Sequence, residues 1–365
     1  MLWIEDKLST PPAYDTAVVA IGDRVYCFGS EDDCAFVHTF YLETSTLRII
    51  RLLYDNCASN KFIPLDRISF TAVAYNKKVY LWGGLLRTHD FVDDKLYCLD
   101  TETSLWSIPQ TTGFGPLACT GHTACVIRDK MYTFGGVVNI TGRYTNTLHC
   151  LNLDTMEWSI VYAHGAHVCP TAFHTAVAVA DKMYVIGGIT VQARGALPIY
   201  CFDTVTRTWT QILPEIAVPA YRLYCTWAYR DYIFMFGGSD GIDLNNGAVS
   251  SELWRYSLND NVCDRTEVYG KVPKLNGGQH CAVVDDKVYV FCCECSRPYH
   301  IATYENNDGG DASSARSPVQ CRSCIYVLSY MITLKTISVV QALKYGMDLT
   351  DLSPDIQRLV QLLKK

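Results

Sequence analysis

One arrangement of apolar and polar positions recurs six times along the chain. Each copy contains a short apolar strand, a polar turn, a second apolar strand that includes Tyr or Phe, and then a glycine pair. Intact pairs stand at Gly83-Gly84, Gly135-Gly136, Gly187-Gly188 and Gly237-Gly238, and degenerate copies stand at Gly29-Ser30 and Cys292-Cys293. The first members are separated by 54, 52, 52, 50 and 55 residues, so the chain is a repeat protein with a period of about 50 residues.

Each copy continues with a third strand, a polar turn and an outer strand that carries a tryptophan, as at Trp106, Trp158 and Trp209. Four short strands per copy, with glycine where the backbone turns without room for a Cβ atom, predict a β-propeller blade, and the period is that of kelch repeats. We expect each tryptophan to pack between neighbouring blades.

A histidine recurs at one blade position, as His122, His174 and His280. A catalytic residue is needed once and not three times. We therefore interpret these histidines as structural.

The two ends of the repeat region predict how the ring closes. The sixth copy ends at Ile325–Leu328, where a third strand belongs, and no outer-strand tryptophan follows. At the other end, Trp3 precedes Gly29 by 26 residues, close to the 29 residues between Trp106 and Gly135. The sequence thus predicts an all-β, six-bladed kelch propeller over residues 1–329, with the N-terminal strand completing blade six.

The pattern changes after residue 329. Residues 330–365 have the spacing of two short amphipathic helices, with Ser353 as the N-cap and Pro354 at the first position of the second helix. The apolar face of this helical hairpin either lies on the propeller rim or binds another protein, and periodicity leaves both open. Within blade six, residues 305–318 are of low complexity and predict a loop.

Composition excludes some classes of function. The formal net charge is −6 and the isoelectric point is about 5.8, which argues against a nucleic-acid-binding polycation. With 49% hydrophobic and 19% charged residues, the chain can bury a large core. Residues 325–343 are apolar but are interrupted by Lys335, so we do not expect them to span a membrane. The N-terminus has no signal-peptide core, and we therefore expect a cytoplasmic or nuclear protein.

We interpret the 17 cysteines as small apolar core residues of a protein in a reducing compartment. Two pairs, Cys292/Cys295 and Cys321/Cys324, have C-x-x-C spacing and form a weak candidate for structural zinc, because 25 residues separate the pairs. No nucleophile elbow, P-loop or paired-acid motif is evident in the sequence. The sequence also does not favour a copper oxidase or a sialidase, two kinds of enzyme that use a propeller fold. We expect a protein that is not an enzyme and has no cofactor.

The tail carries a more specific resemblance. Thr333–Ala342 resembles the elongin C-binding box, with Thr333, Leu334, Ile337, Ser338 and Ala342 at its positions, and Leu352, Pro354 and Ile356 stand where a cullin-2 box follows. The box cysteine is Ser338 here, and the usual Leu-Pro is Leu352-Ser353 with the proline one step later. With the six repeats, the chain resembles the kelch substrate receptors of cullin-2 ubiquitin ligases. The resemblance implies elongin C, with elongin B, and cullin-2 as partners.

Members of that family resemble one another in binding the C-terminal carboxylate of a target protein, often after a terminal glycine. The resemblance implies that Arg194, in the loop after the glycine pair of blade four, and Arg222, at the start of blade five, bind the carboxylate, with Tyr221 and Tyr224 as pocket walls. Ile189 stands where the family has a further arginine. The competing interpretations are solvated surface arginines and a kelch scaffold that binds proteins without any ligase.

Overall fold

The computed structural model describes residues 2–6, 17–31, 34–41, 46–50, 67–86, 94–139, 141–190, 199–216, 222–239, 250–270, 272–273, 280–295 and 321–329. These residues form β-strands joined by turns, and they contain no helix. No described segment is therefore a helix long and apolar enough to cross a bilayer. The predicted tail at residues 330–365 and the predicted loop at residues 305–318 lie outside the described residues.

The strands of the first half are, in chain order, β1 (Leu2–Asp6), β2 (Ala17–Ile21), β3 (Arg24–Glu31), β4 (Cys34–Tyr41), β5 (Thr46–Ile50), β6 (Arg67–Ile68), β7 (Thr71–Tyr75), β8 (Lys78–Trp82), β9 (Leu85–Leu86), β10 (Tyr97–Asp100), β11 (Leu105–Ser107), β12 (Thr112–Gly113), β13 (Cys119–Thr120), β14 (Thr123–Ile127), β15 (Lys130–Phe134), β16 (Val137–Val138) and β17 (Arg143–Tyr144). Those of the second half are β18 (Leu148–Asn152), β19 (Glu157–Ile160), β20 (His164–Gly165), β21 (Thr171–Ala172), β22 (Thr175–Val179), β23 (Lys182–Ile186), β24 (Ile189–Thr190), β25 (Ile199–Asp203), β26 (Thr208–Ile212), β27 (Arg222–Tyr229), β28 (Tyr232–Ser239), β29 (Leu253–Ser257), β30 (Cys263–Arg265), β31 (Tyr269–Gly270), β32 (His280–Val284), β33 (Lys287–Cys295) and β34 (Cys321–Ser329).

Six larger sheets follow one another along the described chain. We number them by their strand order: sheet one is β2-β3-β4-β5, sheet two β7-β8-β10-β11, sheet three β14-β15-β18-β19-β12, sheet four β22-β23-β25-β26-β20, sheet five β27-β28-β29-β30 and sheet six β32-β33-β34-β1-β31. The first strands of neighbouring sheets contact one another in order, and β32 of sheet six contacts β2 of sheet one. In sheet six, β1 pairs antiparallel with β34, from Leu2↔Ser329 to Asp6↔Ile325.

The hydrophobic core is divided among the spaces between neighbouring sheets. Alternate residues of a strand go to opposite faces, so Val79 and Leu81 of β8 pack toward sheet one while Tyr80 and Trp82 pack toward sheet three. The same alternation repeats around the molecule, and one cluster of buried residues lies between each neighbouring pair of sheets, including sheets six and one. This two-sided burial explains why the second strand of each repeat is a continuous apolar run.

The outer-strand tryptophans lie between sheets, as expected. Trp158 is buried and its ring centroid lies 5.5 Å from that of Trp82 in the preceding sheet. Trp209 is buried with its centroid 5.0 Å from that of Phe134, again in the preceding sheet. Trp106, which is partly buried, lies 6.1 Å from Phe28 of sheet one in an edge-on arrangement. Each tryptophan thus stabilises a contact between two repeats.

Candidate binding rim

Three short pairings lie at the end of the sheets where the glycine pairs stand. Strand β6 pairs with β9, β13 with β16, and β21 with β24, all antiparallel. In each case the segment that precedes the first strand of a sheet lies beside the segment that follows its glycine pair. We call this end of the molecule the glycine-pair rim. It is also where the loops that carry the predicted ligands begin.

The glycine pairs allow neighbouring sheets to approach closely at this rim. Gly83 and Gly135 have φ angles of +68° and +66°, in the region that side chains disfavour. A Cβ atom on Gly83 would lie 2.5 Å from Cε1 of His122 in the next sheet. The amide of Gly84 donates to the carbonyl of Cys119 at 3.0 Å, which ties sheet two to sheet three.

The recurring histidines form the other side of this contact. Nε2 of His122 lies 2.9 Å from the Thr71 hydroxyl of the preceding sheet, and Nε2 of His174 lies 2.8 Å from the Thr123 hydroxyl. Both histidines are buried. Each one therefore joins its sheet to the preceding sheet, which agrees with the structural interpretation of the sequence.

Burial also sets the charge of these histidines. Desolvation lowers the pKa of His122 to about 4 and that of His174 to about 3. The pKa of His280 is lowered to about 4 by the same cause. All three side chains are neutral at physiological pH, so they supply no positive charge to a ligand at the rim.

The structure describes part of the predicted carboxylate site. Arg194 and Tyr221 lie outside the described residues. Arg222 begins β27 and is the register partner of Ser239, which directly follows the glycine pair of sheet five. Ile189 pairs with Ala172 in β24, directly after the glycine pair of sheet four. The backbone at Arg222 and the start of the loop that leads to Arg194 therefore lie at one rim.

The side chain of Tyr224 is buried in the hydrophobic core. Its side chain is only 5% exposed and belongs to the cluster between sheets four and five, with Ile186 and Met235. Tyr224 thus contributes to the packing beneath the rim. Its role as a pocket wall stays a prediction, as do the roles of the other three residues.

Arg67 is a rim residue that the sequence reasoning missed. It is buried, its Nη1 donates to the carbonyl oxygen of Gly83 at 3.0 Å, and its guanidinium lies 4.8 Å from the ring centroid of Tyr97. It stands 16 residues before Gly83, just as Tyr221 stands 16 residues before Gly237. Alignment of the repeats on their glycine pairs would have shown that this arginine shares the blade position of Tyr221, a predicted pocket wall.

The predicted partner-binding residues of the tail lie outside the described residues: Thr333, Leu334, Ile337, Ser338, Ala342, Leu352, Pro354 and Ile356. For the zinc candidate, the structure gives the backbone register, which opposes Cys292 to Cys324 and Cys295 to Cys321. Residues three apart in a strand fall on opposite faces, so the four cysteines are divided between the two faces of sheet six. Among the side chains that the structure describes, no group of three or more His, Cys, Asp or Glu residues could hold a metal ion.

These features define a repeat protein whose sheets pack side by side around shared histidine and tryptophan contacts. The chain belongs to the kelch-repeat family, since residues 69–292 match the KLHDC2/KLHL20/DRC7 Kelch-repeats domain. Kelch repeats of this kind are typically protein-interaction modules without catalytic activity. The family assignment confirms the prediction of kelch repeats.

Similarity to curated relatives extends over nearly the full length. Kelch domain-containing protein 3 of Rattus norvegicus is 29% identical over 379 aligned residues, covering 97% of this chain and 94% of the relative. Kelch domain-containing protein 2 of Bos taurus is 27% identical over 287 residues, covering 70% of this chain and 69% of the relative. The solved structure of YjhT matches with a TM-score of 0.61 at 14% identity, covering 78% of this chain and 91% of that one. The YjhT likeness shows a kelch propeller-like fold and confirms the all-β class.

Proposed function

We propose that the chain is the substrate-recognition subunit of a cullin-2 and elongin ubiquitin ligase, in which the tail binds elongin C and the glycine-pair rim binds target proteins. The observation that carries the proposal is the extent of the similarity to Kelch domain-containing protein 3. The alignment covers 97% of this chain, so it reaches into the tail that contains the elongin-box-like segment. Ubiquitin transfer would be performed by the associated subunits.

The proposal includes a closed ring of six blades, with β1 as the outer strand of the last blade. Two other sheets support this role for β1. Strand β12 lies parallel to β19 with Gly113 opposite Trp158, and β20 lies parallel to β26 with Gly165 opposite Trp209. Strand β31 lies parallel to β1 in the same way, with Gly270 opposite Trp3. The N-terminal strand thus occupies the position that an outer strand has in sheets three and four.

For the target, we propose a C-terminal carboxylate, of the glycine-end type, bound by Arg194 and Arg222. A guanidinium holds a carboxylate through two parallel hydrogen bonds and keeps its charge in a partly buried site. The recurring histidines of the rim are neutral because burial lowers the pKa of His122 and His174. These histidines would therefore add no positive charge to the binding of an anion at this rim, whereas an arginine would.

The partner proposal is tested by co-expression with elongin B, elongin C and cullin-2, followed by size-exclusion chromatography. Leu334→Glu should abolish co-elution, because a buried leucine contact would become a charged one. Lys335→Glu, which introduces the same residue one position later, should retain it. Co-elution of the Leu334→Glu variant, or elution of the wild-type chain alone, would contradict the proposal and favour a kelch scaffold without a ligase.

The target proposal is tested with peptides that end in glycine, with free and amidated C-termini, by fluorescence polarisation against the wild-type chain. Amidation should weaken binding at least tenfold because it removes the carboxylate charge. Arg194→Ala combined with Arg222→Ala should weaken the free peptide similarly and leave elongin binding unchanged. Arg207→Ala, an exposed turn residue of sheet four, is the matched control and should change neither. Equal affinity for free and amidated peptides would contradict a carboxylate pocket while leaving the elongin result standing.

A further inference from the structure

Three residues that stand two positions before the first strand of a sheet share an unusual backbone conformation. Ser69 precedes β7, Gly121 precedes β14 and Phe173 precedes β22, and successive members are 52 residues apart. Their φ angles are +53°, +64° and +55°, so the fold places a left-handed residue at this position in sheets two, three and four. Glycine adopts this conformation readily, whereas a bulky side chain disfavours it.

Hydrogen bonds between sheets hold these three residues in place. The amide of Gly121 donates to the carbonyl oxygen of Ser69 at 3.1 Å. The amide of Phe173 donates to the carbonyl oxygen of Gly121 at 2.8 Å. The three residues therefore form a continuous arc from sheet two to sheet four, and the left-handed conformation of Phe173 is part of that arc.

The arc lies at the inner edge of the glycine-pair rim. The first strands of the six sheets contact one another in a circle, and each is the edge strand of its sheet. The residues that lead into these strands at the rim therefore surround the entrance to the space between them. In the neighbouring sheet five, Arg222 has the blade position of Ala172, the residue before Phe173, since each stands 15 residues before the first glycine of its pair. The backbone of a proposed carboxylate ligand thus lies at this level of the rim.

The ring of Phe173 lies on Gly121 and is partly exposed. A Cβ atom on Gly121 would be 2.9 Å from Cε1, 3.0 Å from Cδ1 and 3.1 Å from Cζ of that ring. Only glycine at position 121 therefore leaves room for the ring. Gly121 itself is buried, whereas part of the Phe173 surface remains accessible at the rim.

We propose that Phe173 is a specificity-determining residue of the rim, whose ring packs against the last residue of a bound C-terminal peptide and favours a small one. This inference rests on the proposed function, because it takes the ligand to be a chain terminus held by arginine. A turn that required only the left-handed conformation would be satisfied at lower cost by glycine, as at Gly121. Packing on Gly121 accounts for only part of the ring surface.

Two properties of an aromatic ring fit this role. Its flat apolar face packs against a peptide backbone, and beside an ion pair it excludes water, which strengthens the attraction between the charges. A ring at the entrance also takes up volume that a larger terminal side chain would need. Phe173 would therefore add both affinity and selection to a carboxylate site formed by arginines.

The test compares Phe173→Gly with Met156→Gly by fluorescence polarisation, using free peptides that end in glycine or in leucine. Met156 is the matched control, because it has a φ of +58° and is partly buried against an apolar cluster, but lies in the turn between β18 and β19, at the opposite end of sheet three. Phe173→Gly should weaken the glycine-ended peptide about tenfold, the effect of losing one well-packed aromatic contact, and should reduce the preference for glycine over leucine. Met156→Gly should change neither, and Phe173→Tyr, which keeps the ring, should bind as the wild type does.

Urea unfolding of the same variants separates a binding role from a packing role. Phe173→Gly should keep a midpoint close to that of the wild type, because relief of the left-handed backbone offsets the lost ring contact. Phe173→Asn is a second variant that tolerates the left-handed conformation, and it should show the same loss of peptide binding. A lowered midpoint with unchanged peptide affinity and unchanged preference would overturn the proposal and assign the ring to packing on Gly121 alone.

The outcomes also separate this inference from the proposed function. A wild-type chain that binds free and amidated peptides equally would contradict the carboxylate site and this inference with it. Binding that depends on the free carboxylate, but is the same in the wild type, Phe173→Gly and Phe173→Asn, would contradict this inference alone.

Discussion

Gly135→Ala tests the interpretation that the glycine pairs allow a neighbouring segment to approach the backbone closely. The new Cβ atom would lie 2.6 Å from the carbonyl oxygen of Thr171 and 2.7 Å from Cε1 of His174. The carbonyl accepts a hydrogen bond from Gly136 and belongs to a rigid pairing, so the strain cannot be relieved by rotating one side chain. The left-handed backbone alone costs about 1–2 kcal/mol for a non-glycine residue. Overpacking adds about 1–3 kcal/mol.

The matched control is Gly142→Ala. Gly142 has φ +61°, close to the +66° of Gly135, but no atom lies within 4 Å of its added Cβ. The control should therefore lose only the backbone contribution, about 1–2 kcal/mol, while Gly135→Ala loses about 2–5 kcal/mol. Urea unfolding followed by tryptophan fluorescence measures both, with the slope of the transition checked for equality. Equal destabilisation of the two variants would refute the argument, because it would show that close approach adds nothing to backbone strain.

Three further outcomes follow from the charges and the burial of particular side chains. Because burial lowers their pKa values, His122 and His174 stay neutral in the folded chain, whereas the same histidines in the unfolded chain take up protons below about pH 6.5. Each histidine should therefore remove up to about 1.4 kcal/mol per pH unit from the free energy of unfolding as the pH falls from about 6.5 to about 4. Urea midpoints that do not change between pH 7 and pH 5 would contradict this. Arg255→Ala should lower the urea midpoint more than Arg128→Ala. Both arginines make bidentate ion pairs, Arg255 with Asp264 and Arg128 with Asp181, but the side chain of Arg255 is 34% exposed and lies 4.8 Å from the Tyr232 ring, whereas that of Arg128 is 68% exposed. The reverse order would count against this reasoning. Cys125 and Cys263 should resist a disulfide reagent in the native chain, because burial raises their thiol pKa, and should react only after unfolding, as a time course at pH 8 would show.

The repeat and its strands were predictable from the local sequence pattern. The glycine pairs at Gly83-Gly84 and Gly135-Gly136 were recognised from composition and period, and the structure gives all four residues positive φ angles. The apolar alternation predicted strands, and the tryptophans at Trp158 and Trp209 were correctly expected between sheets. These features are predictable because each follows a pattern that recurs in every repeat of about 50 residues.

The surroundings of individual side chains were not predictable in the same way. Arg67 looks like an ordinary surface arginine in the sequence, and only the packing of sheet two shows it buried against the Gly83 carbonyl. Tyr224 was proposed as a pocket wall, and the structure places its side chain within a cluster shared by two sheets. Such environments depend on how strands and sheets pack in three dimensions, which the local sequence pattern does not show.

The sequence by itself determined the kelch repeat, the strand pattern and the presence of paired cysteines in the last copy. The tertiary structure decided which neighbour each face meets, and hence that Cys292 and Cys295 belong to different faces of sheet six. The physical reason is that C-x-x-C spacing brings two thiols together in a turn but separates them in a regular strand, where side chains alternate with a period of two. Spacing alone cannot distinguish these cases, whereas the ladder of β33 and β34 does.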